Sequence, residues 1–365
     1  MNDIPQADDK PRWWIFGADG DPAQRLARLP EPPPWRRFDD QARATRGARF
    51  ILRADEIDMV NAALYLRRPL LLTGKPGVGK TSLTYSVAKD LDLGEVLRWS
   101  ITTSTTLKDG LYRYDAIARL QDASLQQTER VRGQSGQTAD QGPASPESKA
   151  PPIGHYLRLG PLGTAFAQSG TRRPRVLLVD EIDKSDIDLP NNLLHIFEEG
   201  EFTIPELERL PEHQVFILPC DAPEDATPET HGIPVERGRV RCAAFPLVVM
   251  TSNDEREFPP AFLRRCLKLD MALPGPDELK AIVKVHLFGP AAAAADQALW
   301  DSDLEARIDR LIRAFLDRRD QPPVRDLAAD QLLNAVYMVL RDADPARQWG
   351  DRQALIDALW RPLSD

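Results

Sequence analysis

Short apolar runs along the chain are separated by stretches with helical spacing, a pattern that predicts an α/β fold. Residues 70–72, 176–179 and 246–250 are apolar throughout, and each run leads directly into polar residues. Such runs are typical of strands that are buried on both faces of a parallel sheet. Residues 96–103 are rich in β-forming side chains and predict a further strand.

The last third of the chain shows helical periodicity instead, after a Pro-Gly-Pro boundary at residues 274–276. Its amphipathic segments are residues 277–288, 304–316, 327–340 and 349–360. Helices of this kind bury their apolar faces against one another. The sequence therefore predicts a small helical domain over residues 275–365.

The first 45 residues show neither helical nor strand periodicity. Trp13, Trp14 and Trp35 lie among several prolines, which predicts an extended arm over residues 1–45. Aromatic side chains of this size are rarely left in water. The arm is therefore expected to pack either on its own subunit or on a neighbouring subunit or partner.

Two segments interrupt the predicted α/β domain, which spans residues 46–274. Residues 121–152 are dominated by polar, small and charged side chains and cannot bury enough apolar surface to fold, which predicts disorder in at least the second half and a tether over 127–149. Residues 200–244 cluster β-forming side chains around an acidic, turn-rich stretch. That arrangement predicts a hairpin with a long tip.

Composition limits the classes of function. The 365 residues are 42% apolar and carry a net charge of −9, which disfavours non-specific binding to nucleic acid. Cys220, Cys242 and Cys266 are widely spaced, so they indicate neither a disulfide framework nor a zinc motif. No signal peptide and no long apolar segment stands out, and we expect a soluble, cytoplasmic protein that does not enter a membrane.

The strongest chemical motif, GKPGVGKT at residues 74–81, fits the phosphate-binding pattern G-x-x-x-x-G-K-[ST]. A Gly-rich bend lets successive backbone N–H groups point at phosphates, and the helix that follows adds its positive N-terminal end. Lys80 is expected to reach the β and γ phosphates, and the Thr81 hydroxyl to bind magnesium. The predicted nucleotide-binding residues are Gly74, Lys75, Pro76, Gly77, Val78, Gly79, Lys80, Thr81, Ser82 and Asp180.

Two carboxylates follow the apolar run at 176–179. Asp180 is predicted to bind magnesium together with Thr81, and Glu181 is the candidate base for the attacking water. Parallel strands present such residues at their carboxyl edge, where α/β proteins bind ligands. Asn253, after the run at 246–250, is a candidate for holding the attacking water or the γ phosphate.

Arginines complete the predicted hydrolytic site. Arg264 and Arg265 stand near the end of a short helical segment and can donate charge-assisted hydrogen bonds to a developing phosphoryl charge. The alternative for this pair is a solvated basic helix end. Arg325 begins a helix after two prolines and is a candidate to reach the phosphates from the helical domain.

The order of these motifs resembles that of the AAA+ ATPases, most closely the MoxR-like group. The resemblance covers residues 49–341 and rests on GKPGVGKT, VLLVDEID, TSN, AFLRRC and the Pro-x-Arg helix. It implies a P-loop αβα core with a five-stranded parallel sheet and a small all-α lid. It also implies self-association into a ring, spiral or filament, commonly a hexamer, with ATP at the subunit interfaces.

The resemblance implies roles for single residues as well. Asn253 matches the first sensor, Arg265 the arginine finger that acts on a neighbour's ATP, and Arg325 the second sensor on the lid. MoxR-like proteins usually have Asp-Arg-Phe where this chain has Arg-Arg-Cys at 264–266, so Arg264 stays an alternative for the finger.

These features predict an ATPase that requires Mg²⁺ and remodels or activates a protein partner whose identity the sequence does not disclose. Two alternatives stay open: an ATP-gated scaffold or filament with slow turnover, and an NTPase stimulated by nucleic acid. The candidate base Glu181 disfavours a scaffold without hydrolysis, and the acidic net charge disfavours an NTPase stimulated by nucleic acid. In the MoxR-like pattern the insert at 121–152 projects toward a ring pore; a plain surface linker is the other interpretation.

Overall fold

The computed structural model describes residues 14–39, 47–135, 151–289, 302–320, 327–341 and 353–360. The chain divides into two compact units that alternate along the sequence. The sheet unit comprises Arg53–Thr73 and Val87–Asp270, and the helical unit comprises Met1–Leu52, Gly74–Ser86 and Met271–Asp365. The domain boundaries expected at residues 45 and 274 stay predictions.

The sheet unit is built on five parallel strands. They are β1 (Leu70–Thr73), β2 (Leu97–Ser100), β5 (Val176–Asp180), β10 (Leu247–Thr251) and β11 (Leu267–Asp270). Their order across the sheet is β11-β1-β10-β5-β2, with every neighbouring pair parallel. All residues of β1, β5 and β10 are buried, as strands inside a covered parallel sheet require. The α/β class and the five-stranded parallel sheet are confirmed.

Helices flank this sheet and share one apolar core with it. They include α4 (Leu107–Leu111), α6 (Pro161–Gln168), α7 (Leu189–Glu199) and α10 (Pro260–Arg265). Helix α2 (Ala54–Leu66) also flanks the sheet and contacts β1 and β11. Leu177 and Val248 of the strands pack in the same cluster as Phe166, Leu193 and Phe262 of the helices. Because these side chains are fully buried, the sheet edge that carries the polar strand ends rests on a close-packed support.

The insert between β2 and β5 begins with structure rather than disorder. Strands β3 (Tyr112–Tyr114) and β4 (Leu157–Leu159) pair antiparallel, and α5 (Ala116–Ser135) follows β3. Residues 127–135 are therefore helical, which corrects the expectation that the tether begins at 127. The segment is rich in Ala, Leu, Gln, Glu and Arg, which are good helix formers, and the Asp115 carboxylate caps its first turn at 2.8 Å from the Ala118 N–H. Residues 136–150 lie outside the described residues.

The segment expected to be a hairpin forms a small antiparallel sheet of four strands. They are β6 (Glu201–Thr203), β7 (Gln214–Ile217), β8 (Ile233–Glu236) and β9 (Arg239–Arg241), in the order β6-β9-β8-β7. Two short helices, α8 (Pro205–Glu208) and α9 (Pro228–His231), lie in its connections. Arg237 and Gly238 both have positive φ, at 47° and 72°, which suits the tight turn between β8 and β9.

The helical unit has an apolar core of its own. Its helices are α1 (Pro22–Leu26), α3 (Lys80–Asp90, which continues into the sheet unit), α11 (Pro276–Phe288), α12 (Ser302–Arg319), α13 (Ala329–Arg341) and α14 (Gln353–Leu359). Leu279, Leu311, Phe315, Val336 and Trp360 are buried together between α11 and the end of α14. The helical periodicity read from the sequence thus corresponds to a packed bundle in the described part of this region.

The N-terminal arm packs on this bundle through Trp35. The indole N–H donates to Asn334 Oδ1 at 3.0 Å, and the ring lies edge-on to His286 and Tyr337. The Tyr337 hydroxyl in turn donates to the Glu31 carbonyl at 2.7 Å. Trp35 therefore packs on its own subunit. Trp13 and Arg325 lie outside the described residues.

Candidate functional site

The phosphate-binding loop follows β1 without an intervening residue and leads into α3 at Lys80. Three of its glycines have positive φ: 139° at Gly74, 79° at Gly77 and 100° at Gly79. Only glycine adopts such angles without strain, so these three positions bend the backbone as a phosphate cradle requires. The Lys80 ammonium is largely buried and donates to the carbonyls of Gly74 and Lys75 at 2.5 and 3.0 Å.

The same glycines are held by close packing within the helical unit. A Cβ added at Gly79 would lie 2.6 Å from the Phe50 ring, and one at Gly77 would lie 2.5 Å from the Cβ of Ala328. Ala328 stands immediately before α13. Arg325, the expected second sensor, lies outside the described residues, but the chain three residues later contacts the phosphate-binding loop.

At the end of β5, Asp180 is 7% exposed and strongly held. Its Oδ1 accepts from the Thr251 hydroxyl at 2.8 Å, and its Oδ2 accepts from the Arg98 guanidinium at 2.7 Å. Burying a carboxylate costs free energy unless a cation and hydrogen-bond donors compensate for the lost water. Thr251 and Arg98, from the two strands beside β5, supply both.

Glu181 occupies a different environment one residue later. Its backbone is left-handed, with φ 61° and ψ 50°, which costs a non-glycine residue about 1–2 kcal/mol. The Glu181 N–H donates to Thr251 Oγ1 at 2.9 Å. Its half-exposed carboxylate pairs with Lys184 at 2.9 Å, and this hydrogen bond raises the pKa of Lys184. Two adjacent acids are thus separated into a buried and an accessible one.

Asp183 fixes the loop that carries Asn253. Its buried carboxylate Oδ2 accepts from the N–H groups of Asn253 at 2.8 Å and Glu255 at 3.4 Å. The Asn253 amide side chain reaches Glu255 Oε1 at 3.4 Å. Between them Asp254 has a positive φ of 59°. The candidate sensor therefore sits on a short, constrained turn after β10.

Arg264 and Arg265 end α10, as the sequence indicated, but they differ in their contacts. Arg265 forms an ion pair with Glu198 of α7 and donates to the Ala261 carbonyl at 3.2 Å. Arg264 Nε donates only weakly, to the Pro260 carbonyl at 3.5 Å. Within the described ranges, Arg264 has no acidic partner, so of the two arginines Arg265 is the one that forms an ion pair. Both arginines stay on the surface.

The end of α10 is anchored from the opposite side by Arg68. Its guanidinium donates to the carbonyls of Arg264, Arg265 and Cys266. The dipole of a short helix favours a cation at its C-terminal end. Burial raises the pKa of the neighbouring Cys266 thiol to about 12, so this cysteine is an inert packing residue.

A family profile for the AAA domain, dynein-related subfamily, matches residues 69–266, more than half of the chain. The chain belongs to this AAA family. The matched range contains the phosphate-binding loop, Asp180, Glu181 and Asn253. AAA domains generally bind ATP with Mg²⁺, and family members typically oligomerise.

Among solved structures, the AAA chain is similar to domain III of the Thermotoga maritima replication initiation protein DnaA. The two are 12% identical, the match covers 87% of this chain and 97% of that chain, and the TM-score is 0.37. No curated protein matches the chain. None of the helices in the described ranges is both long and apolar enough to cross a bilayer.

Sequence reasoning missed four residues of this AAA site: Arg98, Thr251, Asp183 and Lys184. Arg98 stands on an exposed position of β2, and nothing in its local pattern distinguishes it from a solvated arginine. Thr251 and Asp183 lie within the TSN and DEID motifs. Their polar character, at or just after the end of an apolar run, could have marked them as site residues. Lys184 lies three residues after Glu181, a spacing that permits an ion pair on a helical turn.

The packing of Gly79 yields a test of the phosphate cradle. Gly79→Ala introduces both a strained φ and a contact with Phe50, so we expect ATP affinity to fall about tenfold or more. Gly94→Ala is the matched control, because Gly94 has a φ of 84° but no atom within 4 Å of the added Cβ. Fluorescence anisotropy with a labelled ATP analogue measures both. Equal affinity in the two variants would show that the shape of this loop does not govern binding.

Proposed function

We propose that this protein is a MoxR-like AAA ATPase that hydrolyses ATP as an oligomer and remodels a protein partner. The observation that carries the proposal is the separation of two adjacent acids at the end of β5. Asp180 is buried between Thr251 and Arg98, whereas Glu181 turns out of the strand and is half exposed. Neighbouring acids in unlike surroundings are typical of sites where one binds and the other moves a proton.

The phosphate-binding loop supports nucleotide binding in this proposal. Backbone N–H groups of the loop residues other than Pro76 would hold the phosphates, and Lys80 would exchange its carbonyl contacts for phosphate oxygens. Thr81 and Asp180 offer oxygen ligands, and Mg²⁺ typically takes one or two such protein ligands alongside substrate phosphates. The donor chemistry thus fits Mg²⁺, which neutralises charge on the β and γ phosphates when bound.

Glu181 is the proposed general base. Its carboxylate is accessible, and its partner Lys184 is itself partly exposed, so the pair contributes little free energy and can open. Glu181 can then accept a proton from water as the oxygen attacks phosphorus. Asp183 holds the Asn253 backbone, and the Asn253 amide side chain, which contacts Glu255, is the proposed group that orients that water or the γ phosphate.

Arg265 is the proposed finger for a neighbouring subunit. Its ion pair with Glu198 joins two side chains that are 43% and 49% exposed, and surface pairs of this kind are worth only about 0–1 kcal/mol. A bidentate contact with phosphate oxygens is stronger, so Arg265 can exchange Glu198 for a γ phosphate at an interface. Arg325 is proposed as the second sensor from its position before α13.

The MoxR-like assignment and the partner rest on sequence pattern. The motifs VLLVDEID, TSN and AFLRRC support the subgroup, and the family's tendency to oligomerise supports assembly into a ring, spiral or filament. The acidic net charge of −9 favours a protein partner over nucleic acid. A hydrolytic motor of this kind should be stimulated by the partner it acts on.

Two variants separate binding from chemistry. Lys80→Ala removes the main phosphate cation, so we expect ATP binding to be lost, whereas Glu181→Gln should keep ATP affinity and lose turnover. Calorimetry measures affinity, and release of labelled phosphate measures hydrolysis. Normal turnover in Glu181→Gln would remove Glu181 as the base, and undetectable turnover in the unmodified oligomer would favour the scaffold alternative.

A subunit-mixing experiment tests the finger. Arginine fingers contribute about 10³ to 10⁵ in rate, so Arg265→Ala should nearly stop hydrolysis and spare ATP affinity. Mixing Arg265→Ala with Lys80→Ala subunits, each inactive alone, should restore part of the activity, because some interfaces then pair an intact ATP site with an intact Arg265. Arg264→Ala is the matched control. Absence of recovery despite proven co-assembly would transfer the role to Arg264.

A further inference from the structure

The Thr251 side chain hydrogen-bonds both acids at the end of β5. It is the last residue of β10 and is 1% exposed. Its Oγ1 lies 2.8 Å from Asp180 Oδ1 and 2.9 Å from the Glu181 backbone nitrogen. The first bond holds the Asp180 carboxylate. The second holds the Glu181 backbone, whose conformation sets the direction of the Glu181 side chain.

The direction of both hydrogen bonds is fixed by chemistry. A backbone N–H can only donate, so the Thr251 oxygen accepts from Glu181. The single hydroxyl proton is then left for Asp180 Oδ1, since an ionised carboxylate only accepts. No other arrangement satisfies the three groups at once, and the hydroxyl therefore holds both neighbours in one geometry.

This geometry includes the strained backbone of Glu181. A left-handed φ of 61° persists at a non-glycine residue only when surrounding contacts determine it. The bond from the Glu181 N–H to Thr251 is such a contact, and the turn at residues 182–184 that follows continues from it. Without the hydroxyl, the N–H would lose its acceptor and the carboxylate of Glu181 would lose its defined position.

We propose that Thr251 is a positioning residue for hydrolysis, acting through Glu181 and Asp180 rather than touching ATP. The inference rests on the proposed ATPase function. The proposal separates affinity from rate. Nucleotide affinity depends on the phosphate-binding loop, whereas the rate of the chemical step depends on the Thr251 hydroxyl. A displacement of about 1 Å at a reacting group costs about 10²-fold in rate.

The chain offers a matched control for removing this hydroxyl. Thr251→Val keeps shape and deletes the hydroxyl, and Thr251→Ser keeps the hydroxyl. Thr84 is also fully buried, but its Oγ1 has no hydrogen-bond partner among the described residues. Thr84→Val therefore makes the same isosteric change where no hydrogen bond is lost.

We expect Thr251→Val to lower kcat about 100-fold with unchanged Kd for ATP, while Thr251→Ser and Thr84→Val retain turnover. Hydrogen exchange at the Glu181 amide gives a readout that does not need hydrolysis: protection should fall in Thr251→Val only. If Thr251→Val does not fold, Thr251→Cys, of similar size and weaker hydrogen bonding, takes its place.

Three results would overturn the proposal. Turnover in Thr251→Val equal to the unmodified protein would show that the hydroxyl is dispensable. Parallel losses of affinity and turnover without rescue by Thr251→Ser would indicate a purely structural role. Absence of hydrolysis in the unmodified protein would remove the proposed function and this inference with it, and is distinguishable because it precedes any substitution.

Discussion

The register of the three parallel strands β1, β10 and β5 is the constraint on which the rest of the site depends. Strand β10 lies between β1 and β5, with Leu72 beside Thr251 on one side and Val179 beside Met250 on the other. The strand that leads into the phosphate-binding loop and the strand that ends in two acids therefore share one neighbour. A shift of β10 by one residue would turn Thr251 to the other face and leave Asp180 without its hydroxyl donor.

The register of these strands matters because the Asp180 carboxylate is buried. Asp180 ends β5, whose other residues are apolar and fully buried, so its carboxylate requires compensation by a cation and hydrogen-bond donors. Arg98 from β2 and Thr251 from β10 provide it from opposite sides. Glu181 escapes the same burial by leaving the strand in a left-handed conformation. The sheet thus places a buried acid and an accessible acid at adjacent positions, as the proposed hydrolysis requires.

The sequence predicted four of the five sheet strands and the phosphate-binding loop because each is encoded locally, in apolar or β-forming side chains or in a glycine spacing. The fifth strand, β11, has no apolar run and was implied only by the family resemblance. The roles of Arg98 and Thr251 were not predicted, because these residues are 82 and 71 positions away from Asp180 in sequence. Only the order of the strands brings them into contact with Asp180. The interpretation of residues 127–135 as part of a tether was wrong because the polar composition concealed the helix-forming residues of α5. Arg325 stays a prediction, since it lies outside the described residues.

The most direct test is an electron cryo-microscopy structure of Glu181→Gln with ATP and Mg²⁺. The account predicts an oligomer in which the phosphates contact Lys80 and the metal contacts Thr81 and Asp180. It also predicts that Arg265 of an adjacent subunit has left Glu198 for the γ phosphate. Nucleotide bound away from residues 74–81, or a metal without Asp180, would contradict the central claim that this sheet edge is the site of hydrolysis.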